Sequence, residues 1–347
     1  MLDRITSYSS CLDDPEHWAI ATIVSVHGSS PSPVGTSMAV SADLEIIGSL
    51  SGGCVESSVA ASAQDAIAAG TVRREAFGPD GTPFGQAGLG IALTCGGEIE
   101  VLIQPLVTAE LDTLRELAER DPHVPAELTR MVTDHAGTRL VIREQRAGSP
   151  RLILSGVHDF STQLAQLALQ IGWNVHLVEI RPAFGTPERV PTGAQLHLGH
   201  PGTIIAELLQ DEAAAWTGVV VMTHHPDLDV PVLDAALSLA NRADWVNDAD
   251  DDAARCFIGA MGSRTSAARR DAALRAMGHS EAARERVVSP LGLDLGAETP
   301  GEAAVSMLAE LLAAKNSQTS AQPLSLSEGP INASRPRSIS IIREMAV

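Results

Sequence analysis

Residues 151–180 read RLILSGVHDFSTQLAQLALQIGWNVHLVEI, and this stretch decides the fold of the second half of the chain. An apolar run, RLILS, is followed by a segment with the apolar spacing of a helix and then by a second apolar run, NVHLVEI. Further strand-like runs follow at AQLHL, GVVVMTH and CFIGAM, with helix-like segments between them. Strands that alternate with helices are typical of a parallel sheet with crossover helices.

The first part of the chain has a different pattern. Between residues 17 and 107, glycine separates five β-rich runs: WAIATIVSV, TSMAVSA, EIIGSLSGG, TVRREAF and GEIEVLIQPLV. A helix is predicted at VESSVAASAQDAIAAG, ending where Gly70 supplies a C-terminal stop. Helices are also predicted at AELDTLRELAER and PAELTRMVTDHAG, and a strand at RLVIR. We therefore predict an α/β protein with a β-rich α+β domain over residues 1–145 and a doubly wound parallel-sheet domain over residues 146–316.

The end of the chain contains one well-marked helix and then a polar segment. Thr299, Pro300 and Glu302 form a capping-box pattern with proline at the first helical position, which predicts a helix from about Pro300 to Lys315. Residues 317–347 are rich in Pro and Ser and predict a flexible tail. The final run, SISIIREMAV, alternates enough to add a strand to a sheet edge.

Composition excludes several classes of protein. The chain has 347 residues, of which 44% are hydrophobic, as in ordinary globular proteins. A net charge of -19 disfavours binding to nucleic acid or to anionic membranes. No apolar run reaches the roughly 18 residues of a membrane span, and the N-terminal residues lack the apolar core of an export signal. Four scattered cysteines show no paired metal-site spacing, so we predict a cytoplasmic protein without a metal site.

Two segments place a cysteine beside paired glycines, SGGCVE at residues 51–56 and TCGGE at residues 94–98. Paired glycines adopt positive φ and leave N–H groups free to point at an anion. Cys54 lies at the predicted start of a helix, where the partial positive charge favours the thiolate. Cys54 and Cys95 are therefore candidate functional thiols. The alternative is that both are small buried residues beside tight turns.

Several motifs in one order resemble a known family. The runs VHGSSPSPVGTSM, GSLSGGCVE and LTCGGEIEVLIQPL look like the N-terminal domain of the XdhC/CoxI family of xanthine dehydrogenase accessory proteins. The later runs VEIRPAFGTPERVP, VMTHHPDLDVPVL, FIGAMGSRTSAARR and SPLGLDLGAETPGEAAVSMLAELL resemble the Rossmann-like domain of that family. The resemblance extends from about residue 19 to residue 315.

The resemblance implies a maturation factor rather than a stand-alone enzyme. Such a chaperone binds the molybdenum cofactor (molybdopterin), protects it while a cysteine desulfurase supplies sulfur for a sulfido ligand, and delivers it to an apo molybdenum hydroxylase. A homodimer is also implied. The cofactor contacts implied by the family are Gly52, Gly53, Cys54, Glu56, Cys95, Gly96, Gly97 and Glu98. For Glu56 and Glu98, acceptance from pterin N–H groups competes with a purely dipole-stabilising role.

The first turn of the second domain departs from a dinucleotide-binding fingerprint. After RLILS the chain reads Gly156-Val157-His158-Asp159, and only the first glycine of the G-x-G-x-x-G pattern is present. His158 stands where a bare backbone admits phosphate, and Asp159 adds a repelling carboxylate. Glu179, about 20 residues on, either bonds a ribose or pairs with Arg181. An NAD(P)-dependent oxidoreductase with contacts at these residues is the alternative function.

The segment THHPDLD, residues 223–229, follows a strand at the edge where open α/β sheets bind ligands. Adjacent strand residues point to opposite faces, so His224 and His225 are not expected to hold one metal ion. We predict contact with an anion or cofactor by His224. A third hypothesis is an interaction scaffold in which residues 317–347 hold a partner.

Overall fold

The computed structural model describes residues 1–30, 32–78, 96–210, 214, 216–240, 256–316, 321–326 and 339–343. The chain forms two compact units. The first comprises Met1–Ala147 and Leu324–Val347, and the second comprises Gly148–Pro323. Residues 339–343, which belong to the predicted tail, form a strand in the first unit. Antiparallel sheets in the first unit and a parallel sheet in the second confirm the predicted α/β class.

The main sheet of the first unit is antiparallel and has the order β3-β2-β1-β5-β4. Its strands are β1 (Trp18–His27), β2 (Ser37–Ser41), β3 (Ile46–Gly48), β4 (Arg73–Phe77) and β5 (Glu98–Pro105). Helix α2 (Glu56–Ala69) packs on one face, where Val59, Ala63 and Ala66 join the core of the sheet. On this helix Gly70 has φ 60°, which confirms the predicted glycine stop.

The other face of this sheet carries the N-terminal segment. A 3₁₀ helix over Leu2–Tyr8 leads into α1 (Ser9–Asp13), and α3 (Leu111–Glu119) packs beside them. Leu2, Ile5 and Tyr8 recur every three residues, which is the period of a 3₁₀ helix, and all three are buried. These three buried side chains hold the segment on the sheet. The residues between them lie on the other sides of the 3₁₀ helix.

One predicted helix of the first unit is wrong. The run PAELTRMVTDHAG contains β6 (Ala126–Thr133), which pairs with β7 (Arg139–Arg146). Burial alternates at every residue of β6, the period of a strand. The sequence hides this alternation because Arg130 occupies a buried position, where it donates to Glu144. Strand β14 (Ile339–Arg343) adds to the other edge of β7.

The second unit contains one parallel sheet with the order β10-β9-β8-β11-β12-β13. Its strands are β8 (Arg151–Ser155), β9 (Asn174–Glu179), β10 (Gln195–Leu198), β11 (Thr217–Val221), β12 (Cys256–Ala260) and β13 (Val287–Val288). The helices are α4 (Asp159–Gln170), α5 (Pro201–Leu208), α6 (Pro226–Ala240), α7 (Arg264–Ala276), α8 (Glu281–Glu285) and α9 (Pro300–Lys315).

Helices cover both faces of the parallel sheet. Residues of α4 and α9 belong to the apolar core on one face, and residues of α5, α6 and α7 to that on the other. The capping box of Thr299 and Glu302 begins α9 at Pro300, as predicted. The chain order reverses between β8 and β11, so the crevice at their carboxyl ends is the expected ligand position of such a sheet.

Candidate functional site

The loop between β3 and α2 depends on two glycines. Gly52 has φ 74° and Gly53 has φ 117°, a region that side chains of L-residues rarely enter. A Cβ atom at either position would meet nothing within 4 Å. Backbone conformation, rather than lack of space, therefore requires glycine here.

This conformation turns the loop donors onto Glu56, the first residue of α2. The two carboxylate oxygens of Glu56 accept seven hydrogen bonds, from five amide groups and two hydroxyl groups. The donors are the Ser49 and Ser51 hydroxyls and the amides of Leu50, Ser51, Gly52, Gly53 and Val55, at 2.6–3.2 Å. The loop is thus a cradle for an anion, and the anion belongs to the chain itself.

The charge of Glu56 is correspondingly stabilised. Burial opposes ionisation, but hydrogen bonds from the Ser51 and Ser49 hydroxyls and from loop amides hold the pKa of Glu56 far below its usual range. The sequence expectation of free N–H groups at Gly52 and Gly53 is wrong, because both amides donate to Glu56. A cofactor bound at this loop would meet a fixed surface rather than vacant amide groups.

Cys54 lies on the same loop, two residues before α2 begins. Its amide donates to the Ser51 hydroxyl at 3.0 Å, which anchors the backbone beside the thiol. Cys54 is half-buried, whereas Cys11 and Cys256 are buried. Burial raises the pKa of each of these two thiols to about 11. Among the described cysteines, Cys54 is the least buried, and it also packs against the apolar core beneath α2.

A polar cavity of about 460 Å³ opens beside this loop. Its walls come from the 3₁₀ helix, the β1–β2 connection, the start of β2 and the cradle loop. The lining residues are Asp3, Arg4, Ser32, Gly35, Thr36, Ser37, Ser49, Ser51 and Gly52. The sequence analysis did not predict Asp3 and Arg4 as site residues. The signal that could have found them is the three-residue spacing of the apolar residues Leu2 and Ile5, which indicates a 3₁₀ helix with Asp3 and Arg4 between its buried positions.

The second glycine loop is described only from Gly96 onwards, so Cys95 lies outside the described residues. A Cβ atom on Gly97 would lie 1.8 Å from the Ser29 carbonyl oxygen, so this glycine is required by close backbone packing. Gly96 is exposed with φ 74°, and Glu98 is half-buried at the start of β5, opposite His27. The β1–β2 connection therefore touches Gly97 at one end and lines the polar cavity at the other.

The predicted nucleotide contacts of the second unit are engaged within the chain. The Glu179 carboxylate accepts from the Val157 amide at 2.9 Å and from Arg181 at 2.8 Å, which agrees with the pairing alternative. Burial opposes ionisation of Glu179, but these hydrogen bonds hold its pKa at about 2. His158 Nε2 donates to the Met222 carbonyl at 2.7 Å and fills the turn that phosphate would approach.

The crevice beyond β11 is crossed by a buried ion pair. Arg270 donates to the Asp229 carboxylate through Nε at 2.9 Å, and its Nη2 forms an ion pair with the same oxygen at 2.8 Å. The same guanidinium donates to the Met261 and Thr223 carbonyls. His224 is exposed beside Gly262. A Cβ atom on Gly156 would lie 2.5 Å from Thr223, so that glycine is required by packing, and Asp159 is exposed at the start of α4.

Two features are absent from the described residues. They contain no group of three or more His, Cys, Asp or Glu side chains placed to hold a metal ion. None of their helices combines the length and the apolar character needed to cross a membrane.

Comparison with protein families matches residues 11–78 to the model described as the XdhC and CoxI family and residues 152–311 to the XdhC Rossmann domain. The chain belongs to the XdhC and CoxI family. The resemblance seen in the sequence motifs is thereby confirmed.

Two related proteins and one solved structure are similar to this chain over most of its length. A probable xanthine dehydrogenase subunit of Bacillus subtilis strain 168 is 26% identical over 346 residues, covering 88% of this chain and 96% of that protein. The molybdenum cofactor insertion chaperone PaoD of Escherichia coli K12 is 25% identical over 302 residues, covering 84% of this chain and 81% of that protein. The crystal structure of a xanthine dehydrogenase from Bacillus halodurans matches with a TM-score of 0.68 at 20% identity, covering 92% of this chain and 98% of that one. At that identity the structural likeness shows the fold.

The residues matched by the family models include only part of the candidate site of this XdhC and CoxI member. The cradle loop and Cys54 fall inside residues 11–78. Asp3 and Arg4 precede that range, and residues 96–98 follow it. The charged wall of the cavity is therefore a feature of this chain that the family match does not cover.

Proposed function

We propose that this protein is a molybdenum cofactor insertion chaperone that serves a molybdenum hydroxylase of the xanthine dehydrogenase type. The names of the two relatives support this class of function. The observation in this chain that carries the proposal is the Glu56-bound loop, which carries the half-buried Cys54 and lines a polar cavity through Ser49, Ser51 and Gly52.

The residues fit such a cargo. Molybdopterin combines a pterin ring rich in donors and acceptors, a phosphate and a dithiolene that holds molybdenum. A cavity of about 460 Å³ with polar walls is of the size and character of a small-molecule site. A cysteine thiolate at a helix start is a soft ligand and a sulfur nucleophile. Cys54 would hold the metal-bearing end, and Ser51 and Gly52 would form the adjoining wall.

The proposal includes the finer steps that the resemblance implies. The protein protects the cofactor while sulfur from a cysteine desulfurase provides its terminal sulfido ligand, and it then delivers the cofactor to the apo-hydroxylase. We further propose that it acts in the cytoplasm as a homodimer. The contribution of this chain is a loop that Glu56 holds in place and that carries the half-buried Cys54 thiol.

Purification from cells that make the cofactor tests the proposal. Wild-type protein should carry pterin fluorescence and molybdenum, and Cys54→Ala should lose both. Ser57→Ala is the matched control, because Ser57 is exposed in the first turn of the same helix. Equal cofactor content in Cys54→Ala and wild type would remove Cys54 from the site. Absence of pterin and molybdenum from the wild-type protein would contradict the chaperone proposal itself.

A further inference from the structure

The wall of the polar cavity carries two opposite charges, Arg4 and Asp3, that form no ion pair with each other or with another described residue. Arg4 makes no ion pair or side-chain hydrogen bond with any described residue, and the same is true of Asp3. The Arg4 guanidinium lies against Gly48, where Nη1 is 3.1 Å from the position of a Cβ atom.

The charges around the cavity select the kind of ligand. Arg4 and Asp3 cancel within the wall, and the Glu56 carboxylate lies directly behind Ser49 and Ser51. A dianionic phosphate would meet one cation and two carboxylates, so the wall does not favour it. A neutral ring with donors on one edge and acceptors next to them meets complementary groups instead.

The hydroxyl groups add to this complementarity. Ser32 and Thr36 line the cavity, and the hydroxyl group of neither makes a hydrogen bond with another described residue. A hydroxyl group both donates and accepts, so these two can serve either edge of a heteroaromatic ring.

We propose that this cavity binds the pyrimidine edge of the pterin, with Asp3 as acceptor and Arg4 as donor. A 2-amino-4-oxopyrimidine presents adjacent ring N–H and amino groups, which match the two oxygens of one carboxylate. Its carbonyl oxygen and neighbouring ring nitrogen match the planar donors of a guanidinium. The inference rests on the proposed function, since it assigns one end of the same cargo to a wall that shares Ser51 and Gly52 with the Cys54 loop.

Fluorescence titration of the full-length protein with free pterin tests the assignment. Asp3→Asn and Arg4→Gln should each weaken pterin binding roughly ten- to a hundredfold, the range for charge-assisted hydrogen bonds. Asp43→Asn and Arg143→Gln are matched controls, because both residues are exposed in the same unit away from the cavity lining. Both controls should bind as the wild type does, and thermal unfolding should show that all four variants are folded.

Competition separates the ring from a phosphate. Inorganic phosphate should leave pterin binding unchanged. Displacement of pterin by inorganic phosphate, equal affinity in Asp3→Asn and wild type, or no binding of pterin by the wild-type protein would each overturn the assignment. Full cofactor content in purified Asp3→Asn and Arg4→Gln, together with loss in Cys54→Ala, would overturn it and leave the chaperone proposal standing.

Discussion

Replacing Glu56 by glutamine should open the cradle loop while leaving the shape of the side chain nearly unchanged. Glutamine keeps one oxygen and puts an amino group in place of the other. That amino group cannot accept, so it forfeits at least the three hydrogen bonds that Oε2 receives from the Ser51 hydroxyl and the amides of Gly53 and Val55. It also points its own hydrogens at those donors.

The magnitude follows from the hydrogen bonds lost. Hydrogen bonds to a charged group contribute about 1.5–3 kcal/mol net, and water replaces part of this at an exposed loop. We therefore expect the closed loop to lose about 2 kcal/mol, which raises the population of the open loop roughly thirtyfold. The core on which α2 packs is untouched, so the effect stays local.

Hydrogen exchange of the peptide that contains residues 49–56 measures this opening directly. In Glu56→Gln the amides of Gly52 and Gly53 should exchange roughly thirtyfold faster near neutral pH. Glu45→Gln is the control, because Glu45 is exposed and its carboxylate makes no hydrogen bond with a described residue. Unchanged exchange in Glu56→Gln, or the same acceleration in both variants, would refute the assignment of Glu56 as the anchor of the loop.

Three further outcomes test the rest of the structure. Hydrogen bonds lower the pKa of Glu179 from 4.5 to about 2, so the stability it adds is present above pH 4.5 and is lost towards pH 2. In denaturant unfolding, the loss of unfolding free energy in Glu179→Gln relative to the wild type should therefore shrink between pH 4.5 and pH 2. A loss that stays constant over this range would contradict the argument. Gly97→Ala should destabilise by about 3 kcal/mol or more in urea, because its methyl group would overlap the Ser29 carbonyl, and a near-neutral effect would contradict the packing. Arg270→Ala should cost about 3–5 kcal/mol by leaving buried Asp229 unpaired, and a cost below about 1 kcal/mol on urea unfolding would contradict that role.

Much of the fold could be predicted because several local signals agreed. The strand–helix alternation after Arg151 and the capping box of α9 each depend on neighbouring residues, so a single sequence is enough to show them. The strand β6 was missed for a tertiary reason. Its buried position at Arg130 is stabilised by Glu144 and Gln104, which lie 14 and 26 residues away.

The candidate site was predictable to a smaller extent. Glycine at positions 52 and 53 correctly indicated positive φ, because that requirement is local. The sequence did not show which anion the amides bind, since that depends on the direction in which α2 presents Glu56. Asp3 and Arg4 were missed because their position follows from a 3₁₀ helix that is held by burial of Leu2, Ile5 and Tyr8 against distant strands.

Both units place their own side chains where a sequence motif suggests a bound anion. In the first unit the Glu56 carboxylate fills the glycine cradle, and in the second His158 and Glu179 bond the turn that follows β8. A ligand at either place must therefore bind to a preformed surface, since replacing these internal contacts would cost the hydrogen bonds they supply. The shape of the loop in the first unit therefore does not depend on a bound ligand. The Cys54 backbone is held by the Ser51 hydroxyl before any ligand arrives, so differences in affinity between cargo molecules should arise from the thiol and from the Asp3 and Arg4 wall.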